Sequence, residues 1–296
     1  MTPRWLACAH PRRSTARSAF AWLTIVAAFV SSSPVADAQN VDGRILLATV
    51  VDTAGRTHVD FGVDDFVVSE DGRQRDVIDV HIADYPVVVL VDDGNAGALA
   101  VMKSAAGRFI TRIGARPVAT AALSSGSGMV TDFSDNREQV LDRLARITPG
   151  VNDAAVTLAT VARAAQLLRE TGAPFSAIVI VSASVIDAAL RVRGELLPII
   201  LESGAAVHVV AWRLSDRDGT TSETPDMLRV LADQSQGQHT AIFSAASYNV
   251  ALDRLADRLA AEMMVEFVVP GGSKPGDVRI GVRRPGTRVV GLGVSR

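Results

Sequence analysis

The sequence contains few of the residues that most often carry chemistry. Its 296 residues include one cysteine, Cys8, and five histidines. A single thiol excludes an intramolecular disulfide framework and a cysteine-rich metal site. The aromatic content is 5% and the formal net charge is -2. The chain therefore lacks both the stacking side chains and the basic excess that are typical of nucleic-acid-binding proteins.

Apolar residues are abundant by comparison. They make up 48% of the chain, while 21% of the residues are charged. This balance excludes general disorder and provides a core that is large enough to fold without disulfides. The length suits two domains of ordinary size, or one large domain with an appendage.

Residues 1–38 have the pattern of a secretory signal peptide. A front with four arginines precedes an apolar stretch, Ala19–Val30, and the small-x-small sequence Ala36-Asp37-Ala38 follows. The apolar stretch is short for a bilayer span of about 20 residues. We predict cleavage after Ala38, with export to the periplasm or the extracellular medium and no membrane span in the mature chain. An uncleaved N-terminal anchor is the alternative.

The mature chain differs little from the precursor in charge. Removal of residues 1–38 takes away four basic residues and one acidic residue, which leaves 26 basic and 31 acidic residues and a formal charge of -5. Cys8 is lost as well, so packing alone must stabilise the mature protein. This charge balance indicates neither a nucleic-acid partner nor a membrane-surface partner.

Residues 39–84 are predicted to form an N-terminal β segment. The stretch Ile45–Asp52 is β-branched and apolar, and residues 66–70 and 77–82 are further strand candidates. Asp71-Gly72 between them is a hairpin signal. This segment is too small to bury a core by itself.

Residues 85–264 alternate apolar strands with helical stretches. Val87–Val91 is a continuous apolar run, typical of a strand that is covered on both faces, and Ala98–Ile113 has helical spacing. Further predicted strands cover residues 117–123, 129–133, 177–181, 206–212 and 239–243, and further predicted helices cover residues 137–147, 154–169, 190–202, 225–236 and 248–264. This alternation indicates an α/β fold with a doubly wound, mostly parallel sheet.

Residues 265–296 return to short β segments between Gly/Pro-rich turns. They are too few to fold alone, as are residues 39–84 on the other side of the α/β region. We therefore predict that the two β segments form one small β-sandwich into which the α/β domain is inserted.

No catalytic set is recognisable. The serine-rich stretch Ser124–Gly128 is not a G-x-S-x-G motif, and the mature histidines are scattered over strand-like segments without H-E-x-x-H. No glycine-rich phosphate loop accompanies the strands. We predict that the protein is not an enzyme.

Several motifs fall in the order found in a known family. They are D-x-x-G at Asp52–Gly55, D-F-x-V-x-E-D-G at Asp65–Gly72, Leu231–Gly237 before a strand, and Glu262–Pro270 with Phe267 at a usual tyrosine position. In these motifs the chain resembles secreted bacterial proteins with a von Willebrand factor A domain, the VWFA-related type. The resemblance covers nearly all of the mature chain and implies the α/β fold described above.

The resemblance also implies a metal-ion-dependent adhesion site at the carboxyl edge of the sheet. In the family, the first loop of this site reads D-x-S-x-S. Here it reads Asp92-Asp93-Gly94-Asn95-Ala96, so the two serine positions carry no side-chain oxygen. Mg²⁺ requires about six oxygen ligands. Glycine and alanine at the two serine positions remove two of the side-chain oxygens that the family pattern provides.

The other two loops of the implied site are also altered. The second loop offers Asn152 or Asp153 near the usual threonine. In the third loop, between Ser182 and Ser184, Ala183 replaces the usual aspartate. The resemblance therefore implies a degenerate site, and we predict no metal or other cofactor.

Two uses of the acidic first loop stay open. Asp92 and Asp93 are predicted to cap the helix that starts near Gly97. The alternative is a substitute metal site built from Asp92, Asp93, Asn95 and Asp153. In either case the edge of the sheet is a candidate partner-binding rim, which comprises Asp92, Asp93, Asn95, Asn152, Asp153, Ser182 and Ser184.

The functional prediction follows from the resemblance and from the lack of catalytic sets. We predict an exported, non-enzymatic protein-binding, adhesion or scaffold module with a protein partner. A divalent-metal-dependent adhesion module with an altered site is the first alternative. An unrecognised hydrolase is the second.

Overall fold

The structure is a computed structural model that describes residues 41–126, 128–187, 190–213 and 226–294. The predicted signal peptide lies outside the described residues, so its cleavage stays a prediction. Among the described helices, none combines the length and the apolar character that crossing a membrane requires.

Strands and helices follow one another in three blocks. The N-terminal block contains β1 (Val41–Asp52), β2 (Thr57–His58), β3 (Phe66–Glu70), β4 (Arg73–Arg75) and β5 (Val77–Ile82). The central block contains β6 (Val87–Val91), α1 (Ala96–Arg112), β7 (Val118–Ala122), α2 (Arg137–Ala145), α3 (Ala154–Glu170), β8 (Ala177–Ser182), α4 (Leu190–Glu202), β9 (Ala206–Trp212), α5 (Met227–Gln234), β10 (His239–Ile242) and α6 (Ser247–Ala260). The C-terminal block contains β11 (Glu262–Pro270), β12 (Val278–Val282) and β13 (Thr287–Val294).

The central block forms a parallel sheet in the order β10-β9-β8-β6-β7. Strands β6 and β8 are buried along their whole length because helices cover both faces of the sheet. Helices α1, α2 and α6 pack on one face, and α3, α4 and α5 pack on the other. The predicted doubly wound α/β fold is confirmed.

The N-terminal and C-terminal blocks form antiparallel sheets together. Strand β1 pairs with both β11 and β13, and β3 pairs with β12. The two sheets, β13-β1-β11-β5 and β12-β3-β4, share one apolar core that includes Leu46, Phe66, Val68, Val265 and Phe267. Each block contributes side chains that the other needs, which agrees with the predicted shared sandwich.

Two predicted elements differ in the structure. The strand predicted at residues 129–133 is reduced to one antiparallel bridge between Ala121 and Met129. The helix predicted at residues 248–264 ends at Ala260, and β11 begins at Glu262. The reason is that Met263 packs into the sandwich core whereas Met264 packs into the α/β core, and this alternation requires an extended backbone.

Candidate functional site

The candidate site lies at the carboxyl edge of the central sheet, where three loops meet. The first loop follows β6, the second precedes α3, and the third follows β8. The first and third loops lie close together because the carboxyl ends of parallel strands share one edge. The second loop joins α2 to α3 and packs against the first loop. Asp92 and Asp93, directly after β6, are both fully buried.

Asp92 connects the ends of neighbouring strands through its two carboxylate oxygens. Oδ1 accepts hydrogen bonds from the Gly94 backbone N–H and the Ser124 hydroxyl, each at 3.0 Å. Oδ2 accepts from the Ser182 hydroxyl and the Ala183 backbone N–H, also at 3.0 Å. Both oxygens therefore have two protein donors, which compensates for the burial of the carboxylate.

Only one of the two carboxylate oxygens of Asp93 accepts hydrogen bonds from the described residues. Its Oδ1 accepts from the backbone N–H groups of Ser124 at 2.7 Å and Ser125 at 3.3 Å. Its Oδ2 is buried and has no hydrogen-bond partner in the structure as described. A buried polar atom without a partner is costly, so this oxygen is the one unusual feature of the site's hydrogen bonding.

The predicted helix caps are made by other residues. Asn95, not Asp92 or Asp93, caps α1, since its Oδ1 accepts from the Ala98 N–H at 3.1 Å. Asp153 caps α3 by accepting from Ala155 at 2.8 Å and from the N–H of residue 156 at 3.1 Å. The capping role predicted for Asp92 and Asp93 is therefore wrong, because both carboxylates turn toward the neighbouring loops.

The second loop packs tightly against the first. The Gly150 N–H donates to the Asp93 carbonyl at 2.9 Å, and a Cβ on Gly150 would lie 2.4 Å from Asp93 Oδ2. A Cβ on Gly94 would lie 2.8 Å from the Cβ of Asn152. The serine that the family pattern has at position 94 would therefore collide with the second loop as it is placed here.

The third loop presents its serines inward. Ser182 is fully buried and Ser184 is nearly so. The Ser184 N–H donates to the Ser182 hydroxyl at 3.0 Å, and the Tyr248 hydroxyl donates to the Ser182 carbonyl at 2.7 Å. Burial, with a smaller effect of the nearby Asp92 carboxylate, raises the pKa of Tyr248, so this tyrosine stays a neutral donor. The two serines therefore form the buried side of the site.

The structure brings five of the seven predicted rim residues into direct contact with the loop network. Asp92 and Asp93 form its centre, Ser182 and Ser184 its buried support, and Asn152 packs on Gly94. Asn95 holds the start of α1, whereas Asp153 is used by α3 and has no contact with Asp92 or Asp93 among the hydrogen bonds described.

Sequence reasoning missed Ser124 and Gly150. Ser124 provides two of the donors to the buried carboxylates, and Gly150 covers Asp93. The sequence contained a pattern at both positions. Ser124 belongs to the serine-rich stretch, Gly150 belongs to a Pro-Gly pair, and both lie in loops at the same edge of the sheet. The sequence does not show that these two loops contact Asp92 and Asp93.

Few of the carboxylate oxygens at the centre of the site are without a protein donor. Mg²⁺ requires about six oxygen ligands near 2.1 Å. Both Asp92 oxygens are used by protein donors, and Gly94, Ala96 and Ala183 offer no side-chain oxygen. Asp93 Oδ2 is the one carboxylate oxygen of the pair without a donor. Within the described ranges, no group of three or more His, Cys, Asp or Glu side chains is placed to hold a metal ion.

No protein-family model and no curated protein sequence matches the chain. Similar solved structures include a von Willebrand factor type A protein from Catenulispora acidiphila, at 11% identity and a TM-score of 0.44, over 88% of this chain and 74% of that one. The vWF domain of the type V pili tip protein Mfa5 from Porphyromonas gingivalis is 10% identical, with a TM-score of 0.44, over 60% of this chain and 96% of that one. The manganese-loaded TRAP protein of Plasmodium vivax is 13% identical, with a TM-score of 0.42, over 78% of this chain and 97% of that one.

Similarities this distant carry no information on ligands or partners. The strand order, the parallel direction of the strands and the helices on both faces are properties of this chain itself. The central block is a doubly wound α/β domain with a five-stranded parallel sheet, which is the architecture that the resemblance implied.

Proposed function

We propose that the chain is an exported, non-enzymatic protein-binding module that holds its partner at the carboxyl edge of the central sheet without a divalent cation. The hydrogen bonding of Asp92 carries this proposal. Four protein donors occupy its two oxygens, so the carboxylate connects the loops that follow β6, β7 and β8. The proposed export rests on the signal pattern of residues 1–38.

The surroundings of the serines support a role without catalysis. The Ser124 hydroxyl donates to the Asp92 carboxylate. Among the described hydrogen bonds, no histidine reaches this serine. His208 is buried in β9, where burial and the nearby Arg258 lower its pKa to about 3, so it is a poor base at neutral pH.

A metal-dependent adhesion module with an altered site is the second candidate, and Asp93 Oδ2 favours it. A buried carboxylate oxygen without a donor is a potential cation ligand. The other members of the predicted substitute site are less available. Asn95 and Asp153 hold helix N-termini, and Asp92 is fully hydrogen-bonded.

Titration calorimetry of residues 39–296 with Mg²⁺ and Mn²⁺ separates the two candidates. The first predicts no binding at millimolar metal. The second predicts binding that is lost in Asp93→Asn and kept in Asp187→Asn, a control in the third loop whose side chain is 62% exposed. Metal binding with that pattern would refute the metal-free proposal.

Partner binding is tested with the same protein as bait. Residues 39–296 are incubated with envelope extract, with and without EDTA. A partner retained equally under both conditions supports the first candidate, and a partner released by EDTA supports the second.

A further inference from the structure

The carboxyl edge of the sheet carries exposed apolar side chains as well as buried acidic ones. Among the large hydrophobic side chains described as exposed, Val151 at 79% and Phe243 at 69% are the most accessible, and Val185 is 56% exposed. Val151 belongs to the second loop, Val185 to the third, and Phe243 directly follows β10. We call these three residues the apolar rim.

Val151 stands beside the buried acidic pair. It lies between Gly150, which donates to the Asp93 carbonyl, and Asn152, which packs on Gly94. The backbone on both sides of Val151 is therefore held against the first loop. The exposure of its side chain is a consequence of this placement.

Val185 and Phe243 are connected through Arg213. The Ser184 carbonyl, next to Val185, accepts from Arg213 Nη1 at 3.2 Å. The Arg213 N–H donates to the carbonyl of residue 242 at 2.8 Å, directly before Phe243. The apolar rim thus follows one continuous run of hydrogen-bonded loops around the edge.

The charge at this edge is negative. Asp92, Asp93 and Asp153 are held by hydroxyl and backbone N–H donors, with no ion pair to a basic side chain in the parts of the chain described. Arg213 at this edge pairs with Asp226, and the Arg163 guanidinium lies beside Gly128 in the loop after β7. A partner that presented a carboxylate here would be repelled unless a cation stood between the two.

We propose that the apolar rim docks a segment of a partner protein that combines apolar side chains with lysine or arginine. This inference rests on the protein-binding function proposed above and specifies the partner's chemistry. Burial of Val151, Val185 and Phe243 supplies the apolar contact, and the carboxylates attract the basic side chains. Anionic membrane surfaces fit less well, because they attract basic patches and repel acidic ones.

The test uses peptides selected from a displayed random library on immobilised residues 39–296, in the presence of EDTA. We expect selected peptides that are rich in apolar residues and in lysine or arginine. Synthetic copies should bind Phe243→Ser and Val151→Ser about tenfold more weakly than the unmodified protein. The matched control is Val250→Ser, a 52% exposed valine on α6, which should bind normally.

Three results would overturn the proposal. These are selection of acidic peptides, no selection at all, and binding that is equal in the two rim variants and the control. Binding to phosphatidylglycerol vesicles that is lost in Phe243→Ser would assign the rim to a membrane instead.

The experiments distinguish failure of the apolar rim from failure of the proposed metal-free function. Peptides that bind the rim only with added Mg²⁺ would refute the metal-free function and leave the rim in place. A protein partner that resists EDTA and binds the rim variants normally would refute the rim alone.

Discussion

At the residue scale, two glycines allow the second loop to lie against the buried carboxylates. Gly94 leaves room for Asn152, and Gly150 leaves room for Asp93 Oδ2. Neither position tolerates a side chain as the loops are placed. Glycine at position 94, where the family pattern has serine, is therefore coupled to the position of the second loop.

We predict that Gly94→Ser, which introduces the serine of the family pattern, destabilises the protein by about 1–3 kcal/mol, because the new side chain must displace Asn152. The free energy of unfolding from urea titration measures the effect. Ala96→Ser is the control, since Ala96 is exposed and its change should stay within about 0.5 kcal/mol. If Gly94→Ser left the free energy of unfolding unchanged, the second loop would have to move easily, and position 94 could accept a serine.

At the element scale, β9 buries a histidine among apolar residues. His208 is 2% exposed, and its Nδ1 lies 3.4 Å from Arg258 Nη2. Burial, followed by the nearby Arg258 charge, lowers the pKa of His208 to about 3. Because its pKa is lowered on folding, the folded state binds fewer protons than the unfolded state between about pH 3 and 6.5.

Stability is therefore predicted to fall as pH decreases through this window. With an unfolded pKa near 6.5, His208 should remove about 2 kcal/mol of unfolding free energy between pH 7 and pH 5. Urea titrations at both pH values measure this change. His208→Asn should reduce it, whereas His81→Asn, at a 44% exposed side chain, should leave it unchanged. An identical pH dependence in both variants would contradict the assignment.

At the scale of the whole molecule, the sandwich and the α/β block are joined by a buried polar cluster. The Tyr85 hydroxyl donates to Glu262 Oε2 at 2.5 Å, and the Arg116 guanidinium lies 4.0 Å from the centre of the Tyr85 ring. Arg116 also lies 3.5 Å from Glu262. Burial raises the pKa of Glu262, and the bonds from Tyr85 and Arg116 oppose that rise. Because breaking such a cluster leaves buried groups unpaired, the two parts should unfold together.

We predict that Phe267→Ala, in the sandwich core, destabilises the whole protein by about 3–5 kcal/mol in a single transition. Trp212 is the only tryptophan of residues 39–296 and lies in the α/β block, so its fluorescence reports on the other part of the molecule. Its urea midpoint should shift together with the circular dichroism midpoint. Ile82→Ser, at a 53% exposed side chain of the same sheet, is the control. A shift in circular dichroism without a shift in Trp212 fluorescence would show that the two parts unfold separately.

The sequence by itself determined the order and type of most of the elements. The continuous apolar runs of β6 and β8 require cover on both faces, and the helical spacing of α1 and α6 supplies part of that cover. The terminal β segments are each too small to bury a core, and this predicted that they pack together. These inferences depend on local periodicity and length, which a linear pattern contains.

Tertiary structure alone decided what the acidic first loop does. The two hydroxyl donors to Asp92 come from Ser124 and Ser182, which are 32 and 90 residues away in the chain. The space at Gly94 is filled by Asn152, and the cap of α1 falls to Asn95. Hydrogen-bond direction and steric fit between distant loops depend on how the strands align, and no local pattern of residues specifies that alignment.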